Sequence, residues 1–244
     1  LNTIEGKNEK LKILTHSFHD ESQILKIKYK SLVKHIRINL IGKIQIKNIL
    51  MALIAAEKSG LNLNKILNVL PSLKPIEGRF EKVGMIKNKS KVVLDYAHTP
   101  DALKTCLLNL KEQFPDKKII SLFGCGGNRD QNKRSKMGKI ADIFSDEIYL
   151  TDDNPRFESS HKIRKDIRIG IKKTKVIEIS DRGKAIAQAI KNLRTGEILL
   201  VAGKGHEKVQ DIGKQKIIFS DKKIILESIR TKNNSLSNNL KLNI

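Results

Sequence analysis

Apolar residues recur in two regular patterns along residues 91–229. Short apolar, β-branched runs predict strands, and apolar positions three and four residues apart predict helices. Residues 91–97 form the first such run, and Leu103, Leu107 and Leu110 then mark one face of a helix. This order of strand followed by helix is repeated along the rest of the region.

The remaining elements continue the alternation. Further strands are predicted at residues 117–125, 147–153, 175–180, 197–203 and 217–219, and further helices at residues 133–144, 159–172, 181–193 and 221–229. Strands that alternate with helices predict an α/β fold with a mostly parallel sheet and helices on both faces. Such sheets bind ligands at the carboxyl ends of their strands, where we therefore expect any functional site.

The first part of the chain has a different pattern. Residues 1–40 predict a few polar strands, and helices are predicted at residues 46–59 and 62–70. No complete apolar core is visible in residues 1–78, which we interpret as the remnant of another domain. A segment rich in Pro and Gly then separates it from a main domain at residues 79–230. The polar, low-complexity residues 231–244 predict a disordered tail.

Charge is the most conspicuous feature of the composition. The 244 residues include 48 Lys and Arg against 26 Asp and Glu, a formal net charge of +22. The lysines are spread along the whole chain, whereas nucleic-acid binders cluster basic residues on one face. Aromatic residues make up 4% and there is no Trp, which disfavours base stacking. A solvated basic surface is the favoured interpretation, and polyanion binding is an alternative that a steep salt dependence would reveal.

The cysteine content and the hydropathy bear on location. Two cysteines, Cys106 and Cys125, are too few for a disulfide framework or a zinc site and suit a reducing compartment. No run approaches the roughly 18 apolar residues of a membrane span, and the N-terminus lacks the features of a signal peptide. We therefore expect a cytoplasmic protein, acting as a monomer without a specific nucleic-acid partner.

Unusual polar residues follow four of the predicted strands. They are DYAHTP at residues 95–100, FGCGGNRD at 123–130, TDDNPR at 151–156 and AGKGHE at 202–207. The glycine-rich segment matches neither the P-loop pattern nor the dinucleotide fingerprint. Each segment alone also suits an ordinary capping, glycine or Asx-Pro turn. Their shared position at one sheet edge is what indicates a site.

The side chains at this edge carry both signs of charge. Asp153 and Asn154 suit an ammonium group, and the planar guanidinium groups of Arg129 and Arg156 suit a carboxylate. Together these groups predict a site for a charged, zwitterionic small molecule.

These four segments and EGRFE at residues 77–81, in this order and spacing, resemble the Mur ligases of peptidoglycan synthesis. The resemblance covers about residues 40–230. It implies a Rossmann-like C-terminal domain, preceded by the end of an α/β ATPase domain. It also implies an ATP- and Mg²⁺-dependent ligase that activates the D-glutamate carboxylate of UDP-N-acetylmuramoyl-L-alanyl-D-glutamate as an acyl phosphate, which an amine then attacks.

The resemblance also implies the amino acid that is added. In this family the sequence found here at residues 153–156, DNPR, accompanies meso-diaminopimelate, whereas lysine-adding members have another residue in place of the Arg. The implied contacts with diaminopimelate are Arg129, Asp153, Asn154, Pro155, Arg156, Gly203 and Glu207. A lysine-adding homologue and a folylpolyglutamate-type ligase are the alternatives within this class of enzyme.

For ATP, the resemblance implies contacts at Asn48, Arg79, Asp95, Tyr96 and His98. The residues before Asn48, at positions 44–47, depart from the family pattern, which has an aromatic residue and an Asn there. The family's P-loop, magnesium ligands and modified lysine have no counterpart in this sequence. We therefore expect the C-terminal half of a ligase, with its main catalytic groups and metal ligands upstream and no activity by itself.

Overall fold

The computed structural model describes residues 11–29 and 31–242, with side chains as far as residue 238. The chain folds into two compact units. The first contains residues 1–75 and 112–114, and the second contains residues 76–111 and 115–244. The division lies three residues before the boundary predicted at residues 78 and 79.

The first unit contains an antiparallel sheet and two helices. The sheet has the order β1-β2-β3, and the elements are β1 (Leu11–His19), β2 (Ser22–Tyr29), β3 (Leu32–Ile38), α1 (Lys43–Lys58), α2 (Leu63–Val69) and a 3-10 turn (Leu70–Ser72). Asn62 caps α2 by accepting from the backbone N–H of Lys65 at 3.2 Å. The sheet and helices bury an apolar cluster that includes Leu25, Ile27, Ile38, Ile46, Leu53 and Leu67. The sequence pattern did not reveal this core.

The second unit is built on a six-stranded sheet. Its strands are β4 (Glu81–Met85), β5 (Lys91–Asp95), β6 (Ile119–Phe123), β7 (Glu147–Leu150), β8 (Lys175–Glu178) and β9 (Ile198–Ala202). They lie in the order β4-β5-β9-β6-β7-β8, and only β4 runs antiparallel to its neighbour. The predicted α/β fold with a mostly parallel sheet is confirmed, although β4 was not predicted.

Five helices accompany this sheet: α3 (Pro100–Gln113), α4 (Asn132–Phe144), α5 (Ser160–Arg168), α6 (Arg182–Asn192) and α7 (Asp221–Leu242). Val92 and Leu199 pack with Ile186 of α6 and Ile225 of α7 in one buried cluster. Val93 points to the opposite face and is also fully buried. Because both faces are covered, the central strands β5, β6 and β9 are buried along nearly their whole length rather than at alternate positions.

The C-terminal region corrects two predictions. A hairpin of β10 (Val209–Ile212) and β11 (Gln215–Ile218) stands where a single strand at residues 217–219 was predicted. The predicted disorder at residues 231–244 is wrong for residues 231–242, which continue α7, and residues 243–244 lie outside the described residues. Low complexity misled the prediction, because Leu236 packs on the apolar core and Lys232 donates to the carbonyl of Ile190 at 2.8 Å.

Among the described helices, none combines the length and the apolar character that a bilayer span requires. Cys106 and Cys125 are buried and form no disulfide.

We expect neither thiol to react with Ellman's reagent in the folded chain. Burial raises the pKa of Cys125 to about 12. Burial and the neighbouring Asp95 carboxylate also raise the pKa of Cys106 well above its ordinary value. At pH 8 a thiol with a pKa near 12 is thiolate in roughly one molecule in ten thousand. Labelling should therefore follow unfolding in a guanidinium titration, and rapid labelling without denaturant would contradict this expectation.

Candidate functional site

The sheet topology brings the four polar segments to one edge. Strands β5, β9, β6 and β7 are consecutive neighbours and run parallel, so their carboxyl ends lie side by side. The residues that follow these strands lie together there, within the second unit.

A buried lysine links two of the predicted site residues. Nζ of Lys204, whose side chain is fully buried, donates to Oδ1 of Asn154 at 2.8 Å and to Oε2 of Glu207 at 2.9 Å. Nδ2 of Asn154 in turn donates to Oε2 of Glu207 at 3.1 Å. These three bonds fix the orientation of the Asn154 amide and hold the Glu207 carboxylate at the site.

The ionisation of Glu207 follows from this network. Burial alone would raise the pKa of Glu207, but the hydrogen bond and charge of Lys204 outweigh it and lower the pKa, with Asn154 and Tyr96 adding to the effect. Glu207 is therefore a carboxylate at neutral pH.

Gly203 allows the Asp153 carboxylate to approach the end of β9. Its φ of +118° lies in a region that L side chains rarely adopt. A Cβ atom at this position would lie 2.6 Å from Oδ2 of Asp153, which is too close. Asp153 is itself buried, and its Oδ1 accepts from the backbone N–H of Asn154 at 2.6 Å.

The guanidinium group of Arg156 has a defined orientation. Its Nη1 donates to the carbonyl of Gly127 at 2.8 Å, and its Nε lies 4.0 Å from Oδ2 of Asp211. A Cβ atom at Gly126 would lie 2.9 Å from Nη1 of Arg156 and 3.9 Å from Cγ of Arg129. Both arginine side chains therefore lie close to Gly126, and the side chain of Arg129 is exposed.

The glycine-rich loop packs directly on the loop after β7. The N–H of Gly127 donates to the carbonyl of Asn154 at 2.9 Å, and a Cβ atom there would lie 1.9 Å from the carbonyl oxygen of Pro155. Next to this loop, the fully buried Arg134 forms ion pairs with Glu158 at 2.8 Å and with Asp166 at 2.9 Å. Only glycine permits this close contact between the two loops.

The residues predicted to contact ATP belong to different elements of the fold. The guanidinium carbon of Arg79 lies 4.6 Å from the centre of the Tyr96 ring, and the ring of His98 lies 4.7 Å from it. Asp95 accepts from the N–H of Phe80 at 2.7 Å, and its burial raises its pKa despite this bond. Asn48 is exposed on α1 of the first unit. These assignments stay predictions.

Several residues that organise the site were not predicted from the sequence. Lys204, Arg134, Gln210 and Asp211 each contact a predicted site residue or hold the loop that carries one. Lys204 and Arg134 lay inside recognised motifs, but sequence alone does not show that they are buried. Within residues 11–29 and 31–242, no three or more His, Cys, Asp or Glu side chains form a group able to hold a metal ion.

We expect Lys204→Met to lower the free energy of unfolding by about 1–3 kcal/mol, because Asn154 and Glu207 lose a buried donor. The exposed Lys208→Met is the matched control in urea unfolding. The lowered pKa of Glu207 contributes stability above its ordinary pKa of 4.5, and this contribution is lost as the pH falls. The difference from the wild type should therefore shrink below about pH 4.5. A difference that grows in acid would contradict the assigned ion pair.

Residues 78–205 match the family described as "Mur ligase, glutamate ligase domain". Among curated relatives, the UDP-N-acetylmuramoyl-L-alanyl-D-glutamate–2,6-diaminopimelate ligase of Rickettsia felis is 39% identical over 240 residues, covering 93% of this chain and 44% of that protein. The ligase of the same name from Buchnera aphidicola is 45% identical over 195 residues, covering 80% of this chain and 38% of that protein. The chain thus spans less than half the length of these relatives.

Solved structures show the same relationship. A UDP-N-acetylmuramoyl-L-alanyl-D-glutamate–2,6-diaminopimelate ligase superposes with a TM-score of 0.68 at 30% identity, covering 95% of this chain and 47% of that one. The MurF ligase of Thermotoga maritima, solved in complex with ADP, gives a TM-score of 0.64 at 18% identity, covering 94% of this chain and 48% of that one. The second likeness, at its low identity, concerns the fold alone.

Proposed function

Because the chain belongs to the Mur ligase family, as its motifs predicted, we propose that it carries the amino-acid site of an ATP-dependent amide ligase. The ligase would add meso-diaminopimelate to UDP-N-acetylmuramoyl-L-alanyl-D-glutamate during peptidoglycan precursor synthesis. Two relatives that bear this activity in their names support the choice of amino acid. The two buried, unpaired cysteines support a cytoplasmic location.

The charge arrangement at the sheet edge is the observation that carries this proposal. Asp153 and Glu207 supply carboxylates, and the side chains of Arg156 and Arg129, which carry guanidinium groups, lie close to Gly126. Diaminopimelate has an ammonium and a carboxylate at each end, whereas lysine lacks the second carboxylate. Arg156 offers that carboxylate a planar pair of donors in an orientation that Gly127 already fixes.

In the proposed reaction this chain binds and orients the attacking amino acid. ATP with Mg²⁺ would supply the phosphoryl group that activates the D-glutamate carboxylate. The exposed Arg79 and His98, next to Tyr96, suit the phosphates and ring of a nucleotide. Mg²⁺ is assigned no ligand among the described residues. By fixing the amino acid through both ends, the site would place its free amine for attack, which is a positional contribution to the rate.

Isothermal titration of the 244-residue chain with meso-diaminopimelate and with L-lysine tests the proposal. We expect diaminopimelate to bind and lysine to bind at least about tenfold more weakly, the scale of one charge-assisted hydrogen bond. Tighter binding of lysine would favour a lysine-adding homologue, and equal affinities would contradict the selectivity assigned to Arg156. Circular dichroism should first show that the chain is folded. If the folded chain then binds neither amino acid, the proposed amino-acid site is wrong.

A further inference from the structure

We propose that strand β10 sets the conformation of the loop at residues 153–156, and that Gln210 is a positioning residue for amino-acid selection. This inference rests on the proposed function, since that loop carries Asp153, Asn154 and Arg156. Neither β10 nor Gln210 belongs to the segments that identified the site.

The hairpin has little apolar packing to account for its position. Among the described strands, β10 forms a sheet with β11 alone, and outside this sheet Ile212 makes one isolated parallel bridge to Arg156. Ile212, Ile217 and Ile218 of the hairpin are 42%, 44% and 92% exposed. Isolated two-stranded hairpins are at best marginally stable in water. Gln210 is the exception, since it is 8% exposed. The side of β10 that carries Gln210 faces the loop after β7.

β10 contacts three of the four residues of this loop. Nε2 of Gln210 donates to the carbonyl of Asp153 at 2.6 Å, and the N–H of Asp211 donates to Oδ1 of Asn154 at 3.0 Å. The N–H of Arg156 donates to the carbonyl of Asp211 at 3.0 Å. The loop is therefore held along the strand by both backbone and side-chain bonds.

Arg156 shows why this support matters. Its φ is +51°, in the left-handed region that is unfavourable for residues other than glycine. The carbonyl of Arg156 accepts from the N–H of Gly213 at 2.7 Å, so hydrogen bonds to the hairpin hold Arg156 on both sides. A strained backbone conformation persists only where contacts with the surrounding structure enforce it. The direction of the guanidinium group thus depends on β10.

Among the hydrogen bonds between β10 and the loop, the bond from Gln210 to Asp153 is the one whose donor and acceptor are both buried. The side chain of Gln210 donates to the backbone carbonyl of Asp153, and the side-chain Oδ1 of Asp153 accepts from the N–H of Asn154. The peptide and the carboxylate of Asp153 are thereby fixed together. Without Gln210, a buried carbonyl would lack its donor and the turn that leads to Arg156 would lose one of its constraints.

The test compares Gln210→Leu, Gln210→Glu and the exposed control Gln215→Leu on β11. We expect Gln210→Leu to reduce the preference for meso-diaminopimelate over L-lysine about tenfold, with Gln215→Leu unchanged. In Gln210→Glu only the protonated acid can donate to Asp153. Burial beside the Asp153 carbonyl favours the neutral acid, so the diaminopimelate affinity of this variant relative to the wild type should recover as the pH is lowered. A purely structural role would lower the melting temperature and leave the preference and its pH dependence unchanged.

Amide hydrogen exchange of the ligand-free protein separates this inference from the proposed function. Gln210→Leu should accelerate exchange at the N–H of Arg156 at least about tenfold, while amides of β9 stay as in the wild type. Unchanged exchange at Arg156 would overturn the inference, whatever the chain binds. A wild-type chain that does not prefer diaminopimelate, with accelerated exchange in the variant, would overturn the proposed function and leave the role of β10 standing.

Discussion

Arg156→Met will reduce the preference for meso-diaminopimelate over L-lysine by about 10- to 100-fold, corresponding to a charged hydrogen bond of roughly 1.5–3 kcal/mol. The second carboxylate of diaminopimelate is the group that lysine lacks. The guanidinium of Arg156 is half-buried and oriented by the carbonyl of Gly127 at 2.8 Å. Affinity for lysine should change little, because lysine offers that guanidinium no second carboxylate.

Arg156→Lys is the matched variant, because it keeps the charge and loses the planar pair of donors. It should lie between the wild type and Arg156→Met. All three residues have a Cβ atom and experience the same backbone strain at φ +51°, so the comparison reports on the side chain. Competition titrations with both amino acids at constant pH would measure the effect. If Arg156→Met discriminates as well as the wild type, another group recognises the second carboxylate.

The edge of the sheet that carries the site was predictable, because it follows from the spacing of apolar residues and from the alternation of strands and helices along the chain. Parallel strands separated by helices must place their carboxyl ends together, so DYAHTP, FGCGGNRD, TDDNPR and AGKGHE were expected at one edge. The structure brings Asn154 and Glu207 within 3.1 Å although 53 positions separate them along the chain. No knowledge of side-chain contacts was needed for that inference.

The features that were not predicted depend on which residues are buried and on contacts between distant parts of the chain. The amino-acid composition does not show either. Lys204 belongs to a glycine turn that suits an exposed charge, yet its ammonium is fully buried because Asn154 and Glu207 both accept from it. β4 contains Gly84 and is short and partly polar, so its pattern is weak. The loop residues that β10 contacts, Asp153 and Asn154, lie more than 50 positions away in the chain, and local periodicity carries no information about them.

Residues 231–242 were wrongly predicted to be disordered, because their composition indicated less structure than they have. The Asn- and Ser-rich end of α7 has no strong apolar stripe, and low complexity was taken as disorder. Lys232 donates to the carbonyl of Ile190, and Leu236 packs against the core. Tertiary contacts of this kind stabilise a helix whose intrinsic propensity is modest.

Arg182→Met should lower the free energy of unfolding by about 3–5 kcal/mol, the usual cost of leaving one member of a buried ion pair alone. Arg182 begins α6 and Asp221 begins α7, and both side chains are fully buried. Nε and Nη2 of Arg182 bond to the two carboxylate oxygens of Asp221 at 2.8 and 2.7 Å. Burial opposes the charge of Arg182, but Asp221 outweighs it and raises the pKa of the guanidinium.

A second variant shows whether the loss comes from the unpaired Asp221 carboxylate. Arg182→Met/Asp221→Leu removes both charges and should recover most of the stability, because apolar side chains often replace a buried ion pair without loss. Lys175→Met, which removes the exposed pair with Glu147, is the control and should change stability by less than about 1 kcal/mol. Urea unfolding of the single, double and control variants measures all three.

The recovery should be incomplete, because Arg182 has a further partner. Its Nη2 also donates to the carbonyl of Ala202 at 3.0 Å, at the end of β9 and directly before Gly203. The double variant leaves that carbonyl without this donor, which costs about 1–3 kcal/mol. We therefore expect the double variant to be more stable than Arg182→Met and less stable than the wild type. A double variant as unstable as Arg182→Met would mean that the Ala202 bond, rather than the ion pair, carries the contribution of Arg182.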